Sequence, residues 1–246
     1  MSSYNDLYPE RRGGHVNPSV LQRATGAGHP ASLKVSCERE CVWNLEQMPM
    51  VQHMISALRT AGCPVDISRH VSCDMCQTGT NIEHAGGYDP ATNQVIIKIL
   101  GTSMITYLQV FVCSNNATNT GLVHGALVRN LIQMFDVCVN KYDFYNAEHL
   151  ACTEIRKANL ANCGYLVYMQ QKWASFNWKK AHAQCVKNTA VDYLVSTKFV
   201  KEDVAKAAVD KVFDKCYNDL EPIGRRSIDA DDIARANSEK YIFGYF

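Results

Sequence analysis

The chain has 246 residues, 47% of them hydrophobic and 20% charged, which is ordinary globular content for one large domain or two small ones. Its formal net charge of +1 supplies no strong field to gather nucleic acid or acidic lipid, so a nucleic-acid partner is not expected. No apolar run approaches the roughly 20 residues of a spanning helix, and the residues from Met1 make a poor secretory signal and a poor amphipathic presequence. Eleven cysteines are the informative part of the composition. They mean metal or reactive chemistry in a reducing compartment and staples in an oxidising one.

Residues 1–36 are polar, Gly-rich and Pro-containing, and read as an extended arm. Val42 to Ala61 reads as a helix that Gly62 stops, with Pro49 placed to kink or split it. Cys63 to Cys76 is turn-rich and carries Cys73-Asp74-Met75-Cys76, a CxxC without a second pair at zinc-finger spacing. Gly86-Gly87-Tyr88-Asp89-Pro90 is turn chemistry. Gln94 to Leu100 and Met104 to Val112 are β-rich and suggest a hairpin.

A helix follows in which Leu127, Leu131, Phe135 and Cys138 recur at helical spacing. Arg129 and Gln133 are four apart on one face of it, and Asn130 follows Arg129 directly. After a polar break at Asp143–Asn146 a second helix begins near His149. Two more are expected, from about Trp178 to Ser196 and from about Lys201 to Leu220, joined as an αα-hairpin. The last stretch, Gly224 to Phe246, is charged, with aromatic residues at its end.

Several strings have a specific look. They are Ala61-Gly62-Cys63, Arg69-His70-x-Ser72-Cys73-x-x-Cys76, Gly86-Gly87-Tyr88-Asp89, His149-Leu150-Ala151-Cys152-x-Glu154-x-Arg156-x-Ala158-Asn159-Leu160 and Val204-Ala205-Lys206-x-Ala208-Val209-Asp210-x-Val212-Phe213-x-x-Cys216-x-Asn218-Asp219. In order and spacing, from about Cys37 to Gly224, the chain resembles the mitochondrial ATP synthase assembly and processing metalloproteases. The resemblance implies an α+β, zincin-like fold, mainly helical with a small β-sheet and disulfide-stapled, in the intermembrane space. It places a degenerate protease domain at 37–222 between the arm at 1–36 and a tail at 223–246.

There are two departures. The family's His-Glu-x-x-His falls on Arg129, Asn130 and Gln133, and about Leu100 to Phe111 is extra sequence. A zincin helix needs two neutral imidazoles four apart and a carboxylate to take the proton of metal-bound water. Arg129 has no lone pair, Asn130 is not a base and Gln133 is a weak ligand. Glu154 is expected to pair with Arg129, and Asp136 with a helix neighbour. Ten cysteines match family positions: Cys37, Cys63, Cys73, Cys76, Cys113, Cys138, Cys152, Cys163, Cys185 and Cys216. Symmetry about the helix turns predicts Cys185–Cys216 and Cys138–Cys152 bridges, with Cys41 left as a free thiol or joined to another chain.

The reading that follows is a protein that is not an enzyme, without cofactor or metal. It would be an accessory subunit bound to protein subunits of a mitochondrial inner-membrane complex (ATP synthase or respiratory chain), peripheral to the membrane. An assembly factor or chaperone is the alternative. An active metallopeptidase with unusual ligands, and a redox or zinc-handling protein using Cys73 and Cys76, are the further rivals. The Met104–Val112 strand and the arm are the expected contacts to the partner.

Overall fold

A computed structural model describes residues 30–66, 70–74, 86–89, 109–114, 120–164, 178–196, 200–226 and 230–246. The chain begins there with α1, Pro30–Gln47, and α2, Pro49–Thr60. Pro49 sits at the start of α2, where its missing N–H costs nothing, so the single helix expected over Val42 to Ala61 is two. α2 ends where Gly62 takes φ 87°, a conformation that glycine adopts without Cβ strain. α1 runs across residue 36, so the last part of the expected arm is helical; residues 1–29 lie outside the described chain.

Three short strands make one sheet: β1, Val71–Asp74, β2, Gly86–Asp89, and β3, Gln109–Cys113. Their order is β1-β3-β2, with β3 parallel to β1 and antiparallel to β2. Two expectations change here. The segments read as turn chemistry at Gly86–Asp89 and within Cys63–Cys76 hold strands, because β3 supplies a hydrogen-bonding partner on each side. The strand read at Met104–Val112 is found from Gln109 onward, and it is the central strand. With β1 and β2 on its two edges it offers no free edge to a partner. Val110 and Val112 lie on one face and are fully buried, which fits that central place. Gln94 to Leu100 and residues 104–108 lie outside the described residues.

α3, Thr120–Val139, is the central helix. It packs against α1, α2 and the sheet. Val123, Leu127, Val128, Leu131, Ile132, Met134 and Phe135 are all buried, so the helix is apolar around most of its girth. By length and composition it could cross a membrane, which the sequence reading did not register. Its burial, and the buried Arg129 and Asp136 along it, fit the core helix of a folded domain instead.

α4, Ala147–Lys157, starts at Asn146, whose side chain accepts from the Glu148 N–H at 2.9 Å. It runs into a π-helical turn, Ala158–Asn162, closed by the Cys163 N–H donating to the Ala158 carbonyl at 2.8 Å. α5, Trp178–Ser196, and α6, Glu202–Asn218, follow as expected, packed on each other and on α4.

The charged tail also folds. α7, Ala230–Glu239, and a 3-10 turn, Lys240–Phe243, return to α2. Lys240 Nζ donates to Ser56 Oγ at 2.9 Å, and His53 Nε2 lies 2.9 Å from the Pro222 carbonyl.

Two cores result. The first gathers α1, α2, the sheet, α3, Ile223 and Ala236; the second gathers α4, α5 and α6 around Ile155, Val186, Leu194, Val209 and Phe213. Among the described residues, four disulfides staple them: Cys37–Cys73, Cys63–Cys138, Cys152–Cys216 and Cys163–Cys185. The pairings Cys185–Cys216 and Cys138–Cys152 are therefore wrong. Symmetry about a turn assumes that a cysteine's partner lies on the next helix. Here α4 lies across both α5 and α6, so Cys152 meets Cys216 and Cys163 meets Cys185. Cys41 is a buried free thiol, as expected. Cys76 lies outside the described residues, and of Cys113 only the backbone is described.

Candidate functional site

The helix face that carries Arg129 and Gln133 looks onto α4 and the π turn. Arg129 is nearly buried. Its two terminal nitrogens donate to Glu154 Oε2 at 2.6 Å and to Asn162 Oδ1 at 2.5 Å. Its guanidinium lies 3.7 Å from the centre of the Tyr193 ring on α5. Lys157, three residues past Glu154, donates to Glu154 Oε1 at 2.7 Å and to Gln133 Oε1 at 2.5 Å. Glu154 is thus held by one cation on each oxygen, and the Arg129–Glu154 pair expected from the sequence forms.

The electrostatics follow from this packing. Burial alone raises a carboxyl pKa, but Lys157 and Arg129 outweigh it and hold Glu154 below its ordinary value. Burial lowers the Lys157 pKa, with Glu154 opposing the shift and Arg129 adding to it. Three charges share one partly dry place, and two of them are positive.

Asn130 does not join them. Its amide turns back and donates to the Ala126 carbonyl of its own helix at 2.8 Å. Asp136, two turns on from Arg129, faces α4 as well. It accepts from Thr153 Oγ1 at 2.8 Å and from Arg156, which also donates to the Glu221 carbonyl. Burial pushes the Asp136 carboxyl up to about 6, with Arg156 and Thr153 opposing it. The expected neighbour on its own helix is replaced by two residues of α4.

The resemblance implies a zinc centre at Arg129, Asn130 and Gln133. The side chains present do not fit one. Arg129 has no lone pair, and the oxygens of Gln133 and Glu154 are occupied by ammonium or guanidinium donors. A divalent ion there would sit against two fixed positive charges. Among the described residues, Cys37, Cys41 and Cys73 are the other group whose ligand atoms converge, but two of those sulfurs are joined to each other.

The sequence reading found Arg129, Gln133 and Glu154 and missed Lys157, Asn162 and Tyr193. Lys157 was within reach, since its i,i+3 spacing from Glu154 puts it on the same face. Asn162 depends on the wide π turn and Tyr193 on the placement of α5, and neither leaves a mark in the spacing.

Residues 35–224 match the Peptidase M76 family, and the chain belongs to that family. The curated relatives carry the name mitochondrial inner membrane protease ATP23 homolog. The human protein is 31% identical over 220 residues, covering 86% of this chain and 81% of the relative. The Danio rerio protein is 31% identical over 226 residues, with 90% and 77% covered. The Xenopus laevis protein is 30% identical over 221 residues, with 89% and 83% covered. No solved structure matches the chain. These relatives correct the expectation that the chain is not an enzyme. That expectation rested on three side chains, whereas the match to a family of peptidases extends along most of the fold.

Proposed function

We propose that the chain works at the mitochondrial inner membrane, on the intermembrane-space side, as an accessory subunit bound to protein subunits of an inner-membrane complex such as the ATP synthase or a respiratory complex. The names of the relatives support the membrane. The four disulfides support the compartment, because such staples persist where thiols are oxidised.

The observation that carries the role is the cluster of Arg129, Gln133, Glu154 and Lys157. It joins α3 to α4, the π turn and α5 through one carboxylate shared by two cations, and it makes the face of the family's motif helix a joint of a protein-binding scaffold. The recognition chemistry is that of protein surfaces, peripheral to the bilayer and without nucleic acid.

Native electrophoresis of mitochondria solubilised in mild detergent tests this. Co-migration with a large complex supports the accessory subunit. A species of about the chain's own 27.5 kDa supports the alternative, an assembly factor or chaperone that leaves after use. Recovery outside mitochondria refutes both. Removing residues 1–29, which fall outside the described structure, asks whether the amino-terminal segment contributes to the interface.

A further inference from the structure

Cys37 and Cys41 are four apart on α1 and therefore stand one above the other on a single face. Both are fully buried, and both face Cys73 on β1. Cys37 and Cys73 are bonded, with Cα atoms 6.1 Å apart. Cys41 Sγ lies 3.7 Å from Cys73 Sγ, which is sulfur-to-sulfur contact. The three sulfurs all lie within 4.8 Å of one another.

We propose that Cys37, Cys41 and Cys73 form an internal thiol–disulfide exchange site, in which either cysteine of α1 can carry the staple to β1. The step balances without any outside oxidant or reductant. The Cys41 thiolate attacks Cys73 Sγ, a Cys41–Cys73 bond forms, and the Cys37–Cys73 bond breaks. The electron pair leaves on Cys37 sulfur, which takes up the proton that Cys41 gave up. One disulfide and one thiol stand on each side of the reaction.

The arrangement differs from an ordinary buried cysteine in having its electrophile already in contact. It also differs from a metal site, because a disulfide sulfur offers no thiolate to an ion. Burial pushes the Cys41 thiol up to about 12, with the carboxylates of Glu38 and Glu40 adding to the shift. The attacking form is scarce at neutral pH, so exchange inside the closed core is slow there and quickens as the pH rises. While the chain is still folding, α1 presents two capture thiols to β1, and exchange lets a Cys41–Cys73 bond resolve into the Cys37–Cys73 bond. The site is independent of the proposed membrane role.

Arg39 lies between Cys37 and Cys41, so trypsin separates the two cysteines onto different peptides. Folded wild-type chain is held at mildly alkaline pH without reductant, quenched in acid, unfolded, labelled with N-ethylmaleimide and mapped. The expected result is label on Cys37 rising about tenfold over the zero-time sample, with the matching Cys41–Cys73 linked peptide. Label confined to Cys41 after a day overturns the proposal. The Cys37→Ser variant gives a second readout. A Cys41–Cys73 cross-link is expected there, and a variant that melts cooperatively but carries two free thiols at Cys41 and Cys73 also overturns it. Cys41→Ser should keep Cys37–Cys73 and show no label at either position.

Discussion

Replacing Glu154 with Gln tests the joint between α3 and α4 directly. The change keeps the shape and removes the charge that Arg129 and Lys157 share. Both cations are left nearly dry, with side-chain exposures of 11% and 6%. Stripping one partner from a buried pair costs about 3–5 kcal/mol. The loss here should fall near the low end. Arg129 keeps Asn162 and the Tyr193 ring, Lys157 keeps Gln133, and the new amide oxygen still accepts one bond. About 3 kcal/mol is expected, or roughly 6–12 °C in melting temperature for a chain of this size. Urea unfolding at neutral pH should show the midpoint move with an unchanged slope. Arg129→Met, which leaves Glu154 paired with Lys157, should cost less, about 1–2 kcal/mol. The carboxyl pKa of Glu154 is held down in the fold, so its contribution is present above the unfolded value of about 4.3 and is lost as pH falls through the lowered one. The gap between wild type and variant should therefore close in strong acid. A Glu154→Gln chain within about 0.5 kcal/mol of wild type at neutral pH would refute the reasoning, since it would place the three charges in effective contact with water.

Other outcomes follow from the same structure. The Cys152–Cys216 bridge closes 64 residues and Cys163–Cys185 closes 22, so chain entropy assigns them about 4 and about 3 kcal/mol. Paired Cys→Ala variants should rank in that order in denaturant, and peptide mapping of the wild type should recover both bridges. Burial, helped by Arg226, pushes His182 down to about 4, so its neutral form is stabilising above the unfolded value of about 6.5 and that stability is lost as pH falls towards 4, by at most about 1.4 kcal/mol per pH unit. His182→Gln should flatten the curve in that window. Comparison with wild type cancels Asp136, whose raised pKa gives a slope of the opposite sign. Zinc titrated by calorimetry should give the same heat with wild type and Glu154→Gln, because the cation-capped Glu154 is not a ligand; a binding step lost only in the variant would show that it is.

The parts of this fold that were legible in the sequence are those fixed within one helix. Leu127, Leu131 and Phe135 mark α3 by spacing, and Pro49 and Gly62 mark the bounds of α2. The Arg129–Glu154 pair could be anticipated because a buried guanidinium needs an acid. What could not be read depends on partners distant in sequence. β1 and β2 have four residues each and exist because β3 arrives between them. α7 is short and charged, with Ile233 and Ala236 on its apolar side, and it is held by contacts with α2 that lie far back along the chain. The disulfide partners depend on α4 crossing both α5 and α6, a fact of packing that spacing does not carry. Arg129, Asn130 and Gln133 describe one turn of one helix, and three side chains do not decide enzyme class for a chain whose residues 35–224 match a peptidase family.

The placement of the four described disulfides divides the molecule mechanically. Cys37–Cys73 and Cys63–Cys138 close within the first core, and Cys152–Cys216 and Cys163–Cys185 close within the second. No described bridge crosses from one to the other. The two halves are held by backbone, by apolar contact at the π turn, and by the charges between α3 and α4. Under tension or in mild denaturant the seam between α3 and α4 is then the part that yields first, and each half would open as a unit with its own covalent frame intact. Amide hydrogen exchange would register this as two families of protection, one for each core.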